Sequence, residues 1–140
     1  MIRYAFLLTA ASLAVPMPAC ADDAQPGLTI KAGEHWIFKL GDGQPVDARQ
    51  VGENDKPAAG ELKVDLDSSG GTMMIVTNNT DKFYNYRAFM MRKPGDRGQR
   101  TSVCTLMSGG RTAFEQWMQK IPLIRISDFT EAKDGQMICA

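Results

Sequence analysis

A single histidine, His35, limits the catalytic chemistry this chain can do. Any Ser-His-Asp or Cys-His arrangement has to pass its proton through that one imidazole. His35 falls on the outward side of an alternating run, beside Trp36, where an imidazole is ordinarily a solvated surface group. No serine sits in the strained elbow of a hydrolase nucleophile. The Ser-Gly-Gly pieces at Ser69 and Ser108 read as turns. Asp65 and Asp67 form a carboxylate pair on the outward face of a strand, but glycosidase chemistry needs a cleft and one raised pKa. Asp65-x-Asp67-x-Ser69-Gly70 opens like a calcium loop; its twelfth position is Val76, where a bidentate Glu is required. These patterns assign no catalytic or metal-binding residue and no cofactor, and the expectation is a protein that is not an enzyme.

Thioethers are the next candidate. Met73, Met74, Met90, Met91, Met107, Met118 and Met137 lie beyond the N-terminal region, and thioether with imidazole is a soft set that suits Cu(I). The adjacent pairs Met73-Met74 and Met90-Met91 split across two strand faces, which fits methionine as an adaptable core filler. The clearest surface feature is basic. Arg87, Arg92, Lys93, Arg97, Arg100 and Arg111 fall within 25 residues that contain one acid, Asp96. Guanidinium groups pair with carboxylate and phosphate, so this cluster is the candidate patch for an anionic envelope component or an acidic protein. The bland reading is a solvated hairpin whose charges keep strand edges apart. Overall the chain balances 16 basic against 16 acidic residues, which argues against nucleic acid as a partner.

The address comes from the N-terminus. Met1-Ile2-Arg3 carries positive charge, Tyr4 to Val15 is apolar, and Ala19-Cys20-Ala21 fits a signal-peptidase site before Asp22-Asp23. Residues 1–21 therefore read as a removed secretory signal, of the type found in Gram-negative bacteria, placing the protein in the periplasm or outside the cell. Lipid attachment at Cys20 is the alternative, and it would anchor the chain. No run is long enough for a transmembrane segment. Cys104 and Cys139 remain after either cleavage. Two cysteines in an exported chain most simply form one disulfide, closing a loop of about 35 residues.

What must position these residues is a series of short strands organised around Glu61 to Lys93. Leu62, Val64 and Leu66 alternate with Glu61, Lys63, Asp65 and Asp67, which predicts one face on a core and one in water. Ser68-Ser69-Gly70-Gly71 turns, Thr72 to Thr77 resumes, and Asn78 to Lys82 turns again. Phe83 to Lys93 places Tyr84, Tyr86, Ala88 and Met90 on one face. Three such strands in succession predict a meander covered by a second layer.

Elsewhere, residues 22–33 read as a flexible lead-in, with Leu28-Thr29-Ile30 as an edge strand. His35 to Leu40 alternates with Trp36, Phe38 and Leu40 inward and His35, Ile37 and Lys39 outward. Gln44 to Val51 is a weaker strand with Pro45 at an edge. Val51 to Gly60 and Pro94 to Arg100 are loops. Thr101 to Met107, Arg111 to Met118, Leu123 to Phe129 and Gln136 to Cys139 read as strands, with Asp134-Gly135 as a hairpin turn and Gln116 to Lys120 as an alternative helical turn.

The sum is about eight or nine short strands with turns every 8–12 residues and no long amphipathic helix. That predicts an all-β single domain over residues 34–140, a small antiparallel β-sandwich of immunoglobulin-like type with one disulfide, or alternatively a small closed β-barrel. The functional expectation is an exported, non-catalytic binding or envelope-associated module. The alternatives are an inhibitor of a secreted hydrolase, presenting Val51–Gly60 or Arg92–Arg100, and a small periplasmic copper carrier.

Overall fold

The structure, a computed structural model, describes residues 25–133 and 135–140. The signal sequence, Cys20 and the Asp134 half of the Asp134-Gly135 turn lie outside the described residues. Among the described residues nine strands follow in order: β1 (Leu28–Lys31), β2 (His35–Gly41), β3 (Gln44–Gln50), β4 (Glu61–Asp67), β5 (Thr72–Asn79), β6 (Phe83–Met91), β7 (Gln99–Thr101), β8 (Arg111–Trp117) and β9 (Leu123–Ala132). They form two antiparallel sheets, β1-β9-β6-β7 and β3-β2-β4-β5-β8, not a closed barrel. The likeness to immunoglobulin domains is in the two layers. Those domains pair their first, second, fifth and fourth strands in one sheet, an order different from this one. No helix among the described residues is long and apolar enough to cross a membrane.

The core lies between the sheets. Phe38, Leu62, Val64, Leu66, Met74 and Val76 from one sheet meet Ile30, Tyr86, Ala88, Ile124, Ile126 and Phe129 from the other. The inward assignments of Leu62, Val64 and Leu66, and of Tyr84, Tyr86, Ala88 and Met90, agree with this cluster. At its centre Phe129 stacks on Tyr86, with centroids 5.3 Å apart, and meets Phe38 and Tyr84 edge-on at 5.8 and 6.5 Å. The β2–β3 turn reaches the other sheet, because Phe129 N–H donates to the Gly43 carbonyl at 2.7 Å. Gly43 has φ of 74° and passes so close to β9 that a Cβ would sit 2.7 Å from the Phe129 carbonyl oxygen. Only glycine fits both the backbone angle and the approach.

The expected meander is not formed. β4 and β5 pair, but β5 then pairs with β8, while β6 pairs with β9 and β7 in the opposite sheet. The chain crosses between layers at Asn78, whose side chain is fully buried. Its Nδ2 donates to the Lys82 carbonyl at 2.8 Å, and its Oδ1 accepts from Thr80 N–H and Oγ1–H. A period-two pattern fixes which face a residue takes, and leaves open which strand lies beside it.

Other boundaries also move. The edge strand expected at Leu28-Thr29-Ile30 forms and runs on to Lys31, paired with β9. Thr101 to Met107 is not a continuous strand: after β7 it makes single bridges from Cys104 to Cys139 and from Leu106 to Tyr84. Gln136 to Cys139 likewise contributes only that bridge. Gln116 stays in β8, so no helical turn forms there. Cys104 and Cys139 are bonded as a disulfide.

Candidate functional site

The outer face of the four-stranded sheet gathers part of the basic cluster. In β6 the residues opposite the core side are Asn85, Arg87 and Phe89. Arg100 of β7 lies directly across from Phe89, and Arg125 of β9 lies across on the other side. Arg87 and Arg100 line one hollow of about 230 Å³ with Asn85, Thr130, Asp128 and the Cys104 segment. The disulfide holds one wall of it, since Cys104, Ile138 and Ala140 also line the hollow.

Charge in the hollow is unevenly matched. Asp128 pairs with Arg87 at 3.7 Å, and it also accepts from Gln44 Nε2 at 2.8 Å. Asp128 has φ of 54°, a left-handed angle that Asp tolerates, at the register shift where β9 passes β6. No ion pair involves Arg100 among the described residues. Beside the hollow Arg125 is 4% exposed and lies over the Phe89 ring at 4.2 Å. Its guanidinium donates to the carbonyls of Pro26 and Arg97, and burial lowers its pKa while Asp128 opposes that shift. Arg125 thereby fixes the Arg97 loop against the sheet.

The remaining members of the predicted patch go elsewhere. Arg92 and Arg97 line a separate hollow with Asp96, Gln119 and Lys120. Lys93 is exposed, its backbone N–H held by Asp96. Arg111 stands on β8 in the other sheet, near Met107 Sδ. One sequence cluster thus becomes two neighbouring pairs and two isolated cations. Arg125, Asn85 and Thr130 were missed. Arg125 had a readable signal, because it interrupts the apolar run Leu123-Ile124-Arg125-Ile126 at an outward position.

The opposite face of the molecule corrects a second expectation. Glu61, Lys63 and Asp65 do not face water. Glu61 and Lys63 are 6% and 5% exposed, and Ile37, expected outward, is 1% exposed. The Val51–Gly60 segment folds back here: Lys63 Nζ donates to the Glu53 carbonyl, and Asn79 Nδ2 donates to the Pro57 carbonyl. Asp65 Oδ1 lies 2.7 Å from His35 Nδ1 and 2.9 Å from Lys63 Nζ. His35 is therefore partnered and half-buried. Met73 lines the same hollow as His35, whereas Met74 and Met91 are buried and Met118 is exposed. Among the described residues no three His, Cys, Asp or Glu groups converge as metal ligands.

Glu61 closes this face. Its carboxylate accepts from Nη1 and Nη2 of Arg49 at 2.9 Å each and from the Ala58 N–H at 2.9 Å. The Arg49 hydrogen bonds first, then Ala58, hold its carboxyl at about 2 instead of the ordinary 4.5. The folded value lies below the unfolded one, so the stabilisation is complete above the unfolded pKa and is lost as pH falls through about 2. Urea denaturation across that acid window should show stability falling, and Glu61→Gln should flatten this part of the profile.

No family model matches this chain, and no curated protein or solved structure resembles it significantly.

Proposed function

We propose that this is an exported, non-catalytic binding module that holds a carboxylate or phosphate group of an envelope component on the outer face of its four-stranded sheet. The observation carrying this reading is the convergence of Arg87 and Arg100 on one hollow with the polar side chains of Asn85 and Thr130. Guanidinium donors match such oxyanions in geometry as well as charge. Export is supported by the disulfide, which persists in oxidising compartments, together with the signal-like N-terminus.

The test is co-sedimentation with vesicles carrying an anionic phospholipid, against vesicles of a zwitterionic phospholipid, at low and high salt. Hydrogen bonds to charged groups contribute about 1.5–3 kcal/mol each, so Arg87→Glu with Arg100→Glu should weaken binding by roughly a hundredfold or more. Arg111→Glu, on the other sheet, should leave it unchanged. Binding that ignores salt and the double substitution, or capture by soluble polyglutamate alone, would overturn the envelope reading.

A further inference from the structure

We propose that the free edge of β8 is a self-association surface, and that its partner is a second copy of this chain added antiparallel across a twofold axis at Phe114.

The two sheets have four edges, and three of them are blunted. β1 is four residues long and ends in an exposed Lys31. β7 is three residues long and carries Arg100. β3 contains Pro45, departs from regular pairing between Ile37 and Lys39, and has Asp47 at φ of 50°. Short length, charge, proline and irregular backbone are the devices that stop one edge templating another. β8 is seven residues long and has neither of the last two; of its charges, Arg111 stands at its first position and Glu115 is held by the Cys104 N–H. It pairs with β5 over seven consecutive positions without a register shift. No backbone hydrogen bond outside that pairing involves Thr112 to Gln116 among the described residues. The nearby segment satisfies itself differently: Cys104 N–H donates to the Glu115 side chain, not to the β8 backbone.

The side chains on this edge favour a copy of the same strand. Thr112, Phe114 and Gln116 are exposed on the outer face, Phe114 at 66%. Antiparallel pairing centred on Phe114 sets Phe114 opposite Phe114 and each Thr112 opposite a Gln116. Aromatic pairs and hydrogen-bonding pairs are the cross-strand combinations that stabilise a ladder. Phe114 already lies in register with Ile75. The twofold would make one apolar row, Ile75–Phe114 against Phe114–Ile75, where each copy alone exposes a large aromatic ring. Seven paired positions add roughly six to eight ladder hydrogen bonds.

The register gives a test that a loose apolar contact would fail. Directly opposed residues in an antiparallel pair have Cα atoms about 4.5–5.5 Å apart, within the range a disulfide spans. The full chain carrying Cys20→Ser is used throughout, so that only an introduced thiol is free beside the Cys104–Cys139 bond. Under mild oxidation Phe114→Cys should cross-link to a dimer that a reductant separates. Thr112→Cys should stay monomeric, because the second copy sets Gln116 opposite it. Sedimentation of the Cys20→Ser chain without further substitution should show twice the monomer mass at high concentration, and Phe114→Lys should abolish the dimer while leaving the circular dichroism spectrum unchanged. A chain that stays monomeric throughout overturns the proposal, even if extended peptides bind the edge. So does a dimer that survives Phe114→Lys, or equal cross-linking through Thr112→Cys.

Discussion

Phe129→Ala is expected to cost about 3–5 kcal/mol of folding stability. The ring is 4% exposed and stands at the meeting point of both sheets, against Phe38, Tyr84 and Tyr86. Removing it forfeits the transfer free energy of the ring and leaves a cavity the neighbours cannot close. Phe38 is fixed by β2 and its pairing with β4, and Tyr86 by β6 and its pairing with β9. Tyr86 makes collapse harder still. Its hydroxyl is buried with no hydrogen-bond partner among the described residues, and burial raises the phenol's pKa. Domains of this size are stable by about 5–15 kcal/mol, so this loss takes much of the total. Urea denaturation reads it as a lower midpoint at unchanged slope. Phe114→Ala, at an exposed ring, should shift the midpoint of the monomer little. A Phe129→Ala loss below about 1 kcal/mol would mean the two layers repack freely, contrary to the geometry.

Removing the disulfide, as Cys104→Ala with Cys139→Ala, is expected to cost roughly 3–4 kcal/mol in the chain-entropy model for a separation of 35 residues. The native side of the balance points the same way. The C-terminal segment is held by a short set of bonds: Val103 with Ala140 in both directions, Thr105 N–H to the Ile138 carbonyl, and Ile138 N–H to Thr105 Oγ1. Met137 and Ile138 are largely exposed, so little apolar burial holds the segment in place. Without the covalent link its amides should exchange quickly while those of β4 and β5 remain protected, which hydrogen exchange distinguishes. The same substitution should weaken the proposed anion binding, because Cys104, Ile138 and Ala140 form a wall of the Arg87–Arg100 hollow. A binding loss without a stability loss would place the role of the bridge in the site instead of the fold.

The candidate site was partly legible. Arg87 and Arg100 belong to the basic run in the sequence, and both are outward. Their convergence was not legible, because it depends on β7 lying beside β6 and on the C-terminal segment returning to Cys104. Asp128 sits 41 positions from Arg87 in the chain and meets it only through the β6–β9 pairing. The His35–Asp65–Lys63 cluster was hidden for a related reason. Alternation marks a side chain as pointing away from the core, yet it cannot show that another segment covers that side. Here Val51–Gly60 does so, and charges expected in water become buried partners.

What can be read along the chain is local: most strand positions, the inward residues of β2, β4 and β6, the turn at Gly41–Gly43, and a cysteine pair. Side-chain alternation and turn chemistry act over a few residues, so they can be read from a few residues. Neighbourhood, by contrast, is settled by the folded packing. Strand pairing is made by backbone groups that every residue carries, and β5 and β6 have the same periodicity whether they share a sheet or face one another. The choice falls to packing: buried Asn78 turns the chain into the other layer, and Phe129 of one sheet meets Phe38 of the other.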